Sequence, residues 1–234
     1  MSDVFAVSGN IITSLGFSTD ENALNMLNEI TGIRLIEDER ISPSPFYASM
    51  VDSDRLTGSF SQKYDPSGFT RFEQMAFLSI NSALSETDID IHNSRTLFIL
   101  STTKGNINIL ERGPGENDPR LYLWHTAKRL AETFKLSTNP VVISNACISG
   151  LQAVITASRL IRAGFYDHVV VNGTDIITEF IVSGFNSFKS LSTGPCRPFD
   201  ITRDGLSLGE GSGTIILTNN CSCLNLGEHL MIGE

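Results

Sequence analysis

The chain has 234 residues, 41% of them hydrophobic and 18% charged, which is enough to bury a sizeable core in one large α/β domain. Its net charge of −9, with no dense basic patch, excludes binding that rests on basic side chains meeting nucleic-acid phosphates. No apolar run reaches the roughly eighteen residues of a membrane span, and the opening lacks the basic start and small-residue cleavage site of a secretion signal, so a cytoplasmic location is expected.

In chain order, Val4–Val7 reads as a short apolar strand, followed by a turn region ending at Gly16. A helix opens near Thr19 or Asp20, with Leu24, Leu27 and Ile30 as its apolar stripe. The stretch from Glu37 to Gly68, interrupted by Pro43, Pro45, Gly58 and Pro66, reads as an irregular surface excursion. Thr70 and Glu73 then stand at capping-box spacing before a helix whose Phe72, Met75, Ala76, Ile80, Ala83 and Leu84 form an apolar face. Arg95–Thr102 reads as a buried strand that leads into Thr103–Ile107. Asp118-Pro119 places a cap and a first-turn proline before a helix carrying Leu123, Trp124, Ala127, Leu130, Ala131 and Phe134.

The run Pro140–Gly150 is the most informative in the chain, because a β-branched strand ends near Cys147 and an amphipathic helix begins there. Two readings stand side by side at this point. A free cysteine after a strand is commonly a packing residue. A thiol at a helix N-terminus, however, meets unpaired amide N–H groups and about half a positive charge, which favours the thiolate and suits a nucleophile. The small or polar neighbours Asn145, Ala146, Ser149 and Gly150 leave room for a substrate.

Leu151, Val154, Ile155, Ser158, Leu160 and Ile161 suit a helix buried on most sides, with Gly164 as its stop. His168–Gly173 is the next strand, and Gly205–Leu217 reads as a glycine-interrupted hairpin. This alternation of strands and helices predicts an α/β fold with a mainly parallel central sheet, helices on both faces and right-handed crossovers. Four cysteines (Cys147, Cys196, Cys221 and Cys223) make no disulfide framework in a chain of this kind. Cys221-Ser222-Cys223 lacks the gap of common zinc pairs, so neither metal nor cofactor is expected.

Three motifs in order resemble the β-ketoacyl synthases: Asn145–Gly150, His168–Asp175, and the run from Cys196 through Arg197-Pro198-Phe199-Asp200 and Arg203-Asp204-Gly205 to Gly213. Val7–Gly16 is similar to that family's opening strand and turn, so the resemblance covers nearly the whole chain. It implies a thiolase-like fold of two similar α/β halves, of which residues 1–220 would be the first and 221–234 a tail leading toward the second. It also implies that Cys147 accepts an acyl group as a thioester and that its backbone N–H is an oxyanion donor. Decarboxylative Claisen condensation with a malonyl thioester would follow, in fatty acid or polyketide synthesis.

The family's two histidines, lysine and second oxyanion donor come from the C-terminal half. His92, His125, His168 and His229 do not sit in those motifs, so this chain alone is expected not to elongate acyl chains. Alignment with the family places Lys104, Gly105 and Asn106 along the acyl pocket, with Phe185 and Phe188 as further lining. Lys104 and Asn106 are more polar than usual there, which argues against a long saturated chain. The resemblance implies that Arg197, Asp200, Arg203, Asp204 and Glu210 buttress the loop around the site as paired charges and not as catalysts. An acyl carrier protein is the implied partner, together with a homodimer or a heterodimer with a ketosynthase-like chain. The alternative is a noncatalytic ketosynthase-like partner of the chain-length-factor type or a scaffold, against which the presence of Cys147 counts. A face normally covered by the other half would stand open, and self-association is expected.

Overall fold

The computed structural model describes residues 3–113, 117–220 and 230–231. The expected tail, with Cys221, Cys223 and His229, therefore lies outside the described residues except for Leu230 and Met231. Strand β1 (Phe5–Ile12) is followed by α1 (Thr19–Leu27), β2 (Ile33–Ile36), β3 (Phe46–Ser49), α2 (Ser53–Ser61) and α3 (Arg71–Ser85). Then come β4 (Thr96–Ser101), α4 (Leu123–Thr133), β5 (Val141–Ile143), α5 (Ser149–Arg162), β6 (His168–Asp175), α6 (Glu179–Ser187), β7 (Leu208–Gly209), β8 (Gly211–Thr218) and β9 (Leu230–Met231).

The main sheet has the order β5-β4-β6-β8-β1-β9. β4 pairs in parallel with β5 and β6, whereas β8 is antiparallel to both β6 and β1, and β9 is antiparallel to β1. The sheet is thus mixed, with β1, β4, β5 and β6 running one way. Alternation along β4 sets its two faces: Phe98 and Leu100 pack with Met75, Phe77 and Ile80 of α3, while Leu97 and Ile99 pack with Ala153, Ala157 and Ile161 of α5. A second sheet, β2-β3-β7, packs through Ile36, Phe46 and Ala48 onto Ile177 and Val182.

Several elements depart from the local reading. The segment Glu37–Gly68 is ordered into β3 and α2, because Asp52 caps α2 by accepting from the Arg55 N–H at 2.7 Å and Leu56 and Phe60, four apart, are buried on one face. Its proline, glycine and serine content masks that short repeat. The stripe on α1 points outward, Leu27 being 82% exposed. Instead, α1 is anchored by buried Asn22, whose Nδ2 donates to the carbonyls of Ile11 (3.1 Å) and Ser18 (2.8 Å). Asp118 caps a single 3-10 turn, Pro119–Leu121, and α4 starts only at Leu123 after Tyr122, which makes no side-chain cap. Gly205–Leu217 is no hairpin: β7 joins β3 in the small sheet and β8 joins the main sheet, with buried Glu210 between them.

The capping box at Thr70 and Glu73 forms as its spacing predicts. Helix α5 is buried on one side only, since Leu151 is 64% exposed. Beside it an open groove of about 940 Å³ runs over the sheet, walled by Val154 and floored by Val171, Gly173, Gly213 and Ile215. The sheet face is open along this groove. The expected outcome is concentration-dependent self-association, read by light scattering; a monodisperse monomer would count against it.

At the other end of β6, half-buried His168 bonds through Nδ1 to Thr218 Oγ1 at 2.8 Å. Burial pushes its pKa below the ordinary 6.5, against the opposing pull of Asp167 and Asp90. The unfolded chain then binds more protons than the folded one, so the stability held above pH 6.5 declines as the pH falls below that value. Urea melts at pH 7.5 and 5.5 are expected to differ less for His168→Asn than for the wild type.

Candidate active site

The C-terminal ends of the three parallel strands define one rim, where Ile143, Ser101 and Gly173 lie in register. Loops beyond such ends are where open α/β sheets place their ligands. Cys147 stands in the first of these loops, four residues past β5 and two before α5. Ala146 just before it has φ 45°, a left-handed conformation that costs an L residue about 1–2 kcal/mol.

Buried Ser149 clasps this bend. Its Oγ accepts from the Asn145 N–H at 2.8 Å and donates to the Ala146 carbonyl at 2.7 Å, while Asn145 Nδ2 donates to Gln152 Oε1 at 2.7 Å. The sequence marks Ser149 only as a small neighbour, yet it holds the elbow closed. Cys147 is exposed on the outside of the bend, so the packing reading of this residue is set aside. Cys196 is half-buried and its N–H donates to Ser207 Oγ at 3.0 Å. Iodoacetamide is therefore expected to label Cys147 first, and peptide mass spectrometry showing equal rates at the two would contradict the geometry.

The second loop leaves β4. Thr102 N–H donates to the Ile143 carbonyl at 3.3 Å, tying this loop to the strand that leads to Cys147. Asp175 Oδ1 accepts from Thr102 Oγ1 (2.9 Å), Thr103 N–H (3.0 Å) and Thr103 Oγ1 (2.8 Å). In the sequence Asp175 is only the end of a motif, because its partners lie some seventy residues earlier.

The five residues aligned with an acyl pocket stand in different surroundings. Asn106 is fully buried: it accepts from Thr70 Oγ1 at 2.6 Å and donates to the Arg120 carbonyl and Thr126 Oγ1, so it braces the loop. Gly105 is buried at φ 55°, where an added Cβ would come within 2.6 Å of Leu123. Lys104 is exposed and its ammonium lies 5.7 Å over the ring of Phe180. Phe185 is half-buried on α6, whereas Phe188, after the helix ends, is 82% exposed. Phe180 is thus the aromatic neighbour of Lys104, a pairing that nothing local announces.

Within the charged motif Arg197 pairs with Asp204, whereas Glu210 pairs outside it, with Arg71. Asp204 accepts from Ser192 Oγ at 2.6 Å and from the Thr193 N–H and hydroxyl, and it faces Arg197 at 3.4 Å. Those hydroxyl bonds hold its carboxyl well below the usual carboxylate range. Glu210 is buried against Arg71, accepts from the Val51 N–H at 2.8 Å and receives the Ile177 N–H at 3.4 Å. Among the described residues no cluster of histidine, cysteine and carboxylate side chains suits a metal ion.

The family model for "Beta-ketoacyl synthase, N-terminal domain" matches residues 1–220. Among curated proteins, the chain is similar to the tetracenomycin polyketide synthase ketoacyl synthase alpha subunit of Streptomyces glaucescens, 29% identical over 210 residues that make up 78% of this chain and 49% of that one. It is also similar to 3-oxoacyl-acyl-carrier-protein synthase 2 of Staphylococcus aureus, 24% identical over 222 residues, 86% of this chain and 53% of the relative. The chain spans about half the length of these relatives.

Among solved structures, a beta-ketoacyl synthase from Burkholderia phymatum superposes with a TM-score of 0.76 at 23% identity, covering 93% of this chain and 59% of that one. A ketosynthase in complex with its chain length factor from Xenorhabdus doucetiae gives a TM-score of 0.76 at 21% identity, over 94% and 58% of the two chains. These likenesses establish the thiolase-like α/β fold. With the family model covering all but the final residues, the chain belongs to the β-ketoacyl synthases, matched through their N-terminal domain.

Proposed function

We propose that this chain carries the acyl-accepting nucleophile of a 3-oxoacyl-acyl carrier protein synthase acting in fatty acid or polyketide synthesis. The observation that carries the reading is the exposed Cys147 on a strained elbow at the head of α5, in a chain of this family. In the proposed step Cys147 Sγ attacks the carbonyl carbon of an acyl thioester. The new S–C bond replaces the donor's S–C bond, and the departing thiol leaves with the proton that Cys147 gives up. The Cys147 N–H is proposed as one donor to the oxyanion that forms on the way. In condensation a malonyl thioester would lose carbon dioxide, and the resulting carbanion would attack the acyl carbon and release the cysteine.

That second step needs further groups, and two of the described histidines stand elsewhere. His168 starts β6, at the opposite end of the strand from the rim, and His92 Nδ1 lies 2.9 Å from the carbonyl oxygen of Lys135. Acyl uptake without condensation is therefore expected of the chain by itself. An acyl carrier protein as donor, a ketosynthase-like second chain and a cytoplasmic location belong to the same reading. Residues 1–220 form the ketosynthase domain within it.

The test is incubation with a small acyl thioester followed by peptide mass spectrometry. An acyl adduct on Cys147 supports the reading, and a chain that stays unmodified under conditions where iodoacetamide reacts would sink it. The second reading, a noncatalytic partner, draws on the likeness to a ketosynthase solved with its chain length factor. It predicts no acyl adduct and a stable complex with an intact ketosynthase.

A further inference from the structure

In the acyl-acceptor reading Cys147 brings two groups to one carbonyl, its Sγ as the attacking atom and its N–H as an oxyanion donor, and the backbone of the elbow sets how they stand to each other. That backbone passes through Ala146 at φ 45°, a conformation that persists only where bonds on either side hold it. The Ile148 N–H donates to the Asn145 carbonyl and the Ser149 N–H to the Ala146 carbonyl, each at 3.2 Å. Buried Ser149 adds the two bonds of its Oγ from inside.

One more bond closes the elbow from the solvent side, where Asn145 Nδ2 donates to Gln152 Oε1 at 2.7 Å between two exposed residues. Gln152 stands three residues beyond Ser149 on α5, so the segment entering the elbow is tied to the helix at two levels. Asn145 is thereby held at its N–H, its carbonyl and its side chain. A bond made in water contributes little to the stability of the whole fold, because the unfolded chain replaces it with bonds to solvent. Its consequence is local, two residues before Cys147.

Resting on the acyl-acceptor reading of Cys147, we propose that Gln152 is a positioning residue for acyl transfer: by gripping the Asn145 side chain it keeps the Cys147 N–H aligned with the carbonyl that Sγ attacks. The probes are octanoyl N-acetylcysteamine thioester and iodoacetamide, given separately to the full chain while modification of Cys147 is followed by peptide mass spectrometry. Alkylation uses the thiolate alone, whereas acyl transfer uses the thiolate and the oxyanion donor together. The ratio of the two rates therefore reads alignment, and a change in the thiolate fraction cancels from it.

Gln152→Met keeps an unbranched stem and a similar helix preference but has no amide to take the bond. It is expected to lower the ratio of acylation to alkylation about fivefold, the scale of one neutral hydrogen bond, with the melting temperature unchanged. Gln152→Glu keeps an acceptor oxygen and is expected to restore the ratio. Asn145→Ala should lower it as well, and the double variant no further than Asn145→Ala alone, because the two residues act as one unit. A wild-type ratio in Gln152→Met overturns the proposal, as do equal slowing of both reactions or additive losses in the double variant. If the wild type is alkylated but takes up no acyl group, the acyl-acceptor reading fails and this inference fails with it.

Discussion

Replacing Cys147 by alanine is expected to remove acyl uptake from small thioesters altogether, a loss of at least about a thousandfold, because no other group at the elbow supplies the attacking atom. Cys147→Ser should retain a slow trace, since a hydroxyl at neutral pH is a far poorer nucleophile than a thiol. Neither change should unfold the protein. The side chain is exposed and the bend is held by Ser149 and Asn145, so far-UV circular dichroism and the melting temperature should match the wild type. An adduct that persists in Cys147→Ala, at Cys196 for example, would assign the chemistry to the wrong residue. Ser149→Ala is the informative companion: Cys147 remains, but the left-handed Ala146 loses its clasp, and slower uptake with an intact thiol would show that elbow shape matters as well as the nucleophile.

The largest loss of stability is expected from Glu210→Ala. The Glu210 side chain is completely buried and its carboxylate meets the Arg71 guanidinium, which is 22% exposed, while it also receives the Val51 and Ile177 N–H groups. Removing it leaves a largely buried cation and two amide donors without their acceptor. Breaking one side of such a pair costs about 3–5 kcal/mol, and in a domain of this size the melting temperature should fall by about 10 °C. Glu210→Gln keeps a carbonyl acceptor at nearly the same place and should cost less. A fall of only one or two degrees in Glu210→Ala, read by calorimetry, would mean that water replaces the carboxylate cheaply.

These two residues also differ in how far they could be read in advance. Cys147 announces itself locally, because a β-branched run, a thiol, small residues and an amphipathic repeat follow one another within a dozen positions. Glu210 belongs to a recognisable motif, but its partner Arg71 lies 139 residues away and its place between two sheets has no local signature. The same division holds for the helices. The capping box at Thr70 and Glu73 was legible because both halves of the contact fall within three residues. The burial of α2 was not, since two apolar residues amid prolines and serines look like a surface loop until Phe60 packs on Phe77, 5.2 Å between ring centres.

Periodicity alone also misjudged exposure. Leu24, Leu27 and Ile30 repeat as a core stripe would, and Leu151 and Ile155 complete a helix that reads as apolar all round, yet all five are exposed here. A repeat reports which residues share a helix face and not what lies opposite that face. Asn106 stands where the family alignment puts a pocket residue, and its side chain is bonded to the half-buried Thr70 and the buried Thr126 hydroxyls, 36 and 20 residues away.

By itself, then, the sequence determined the α/β class, the strand-to-helix turn at Cys147, the capped start of α3 and the family motifs, since each is written in residues a few positions apart. Only the tertiary structure decided that the sheet is mixed, that β7 and β8 part company at Glu210, that Ser149 closes the elbow and that Lys104 faces Phe180. The physical reason is the range of the interactions. Caps, turns and amphipathic repeats are local, whereas burial, ion pairing and side-chain direction depend on segments that meet only when the chain has folded.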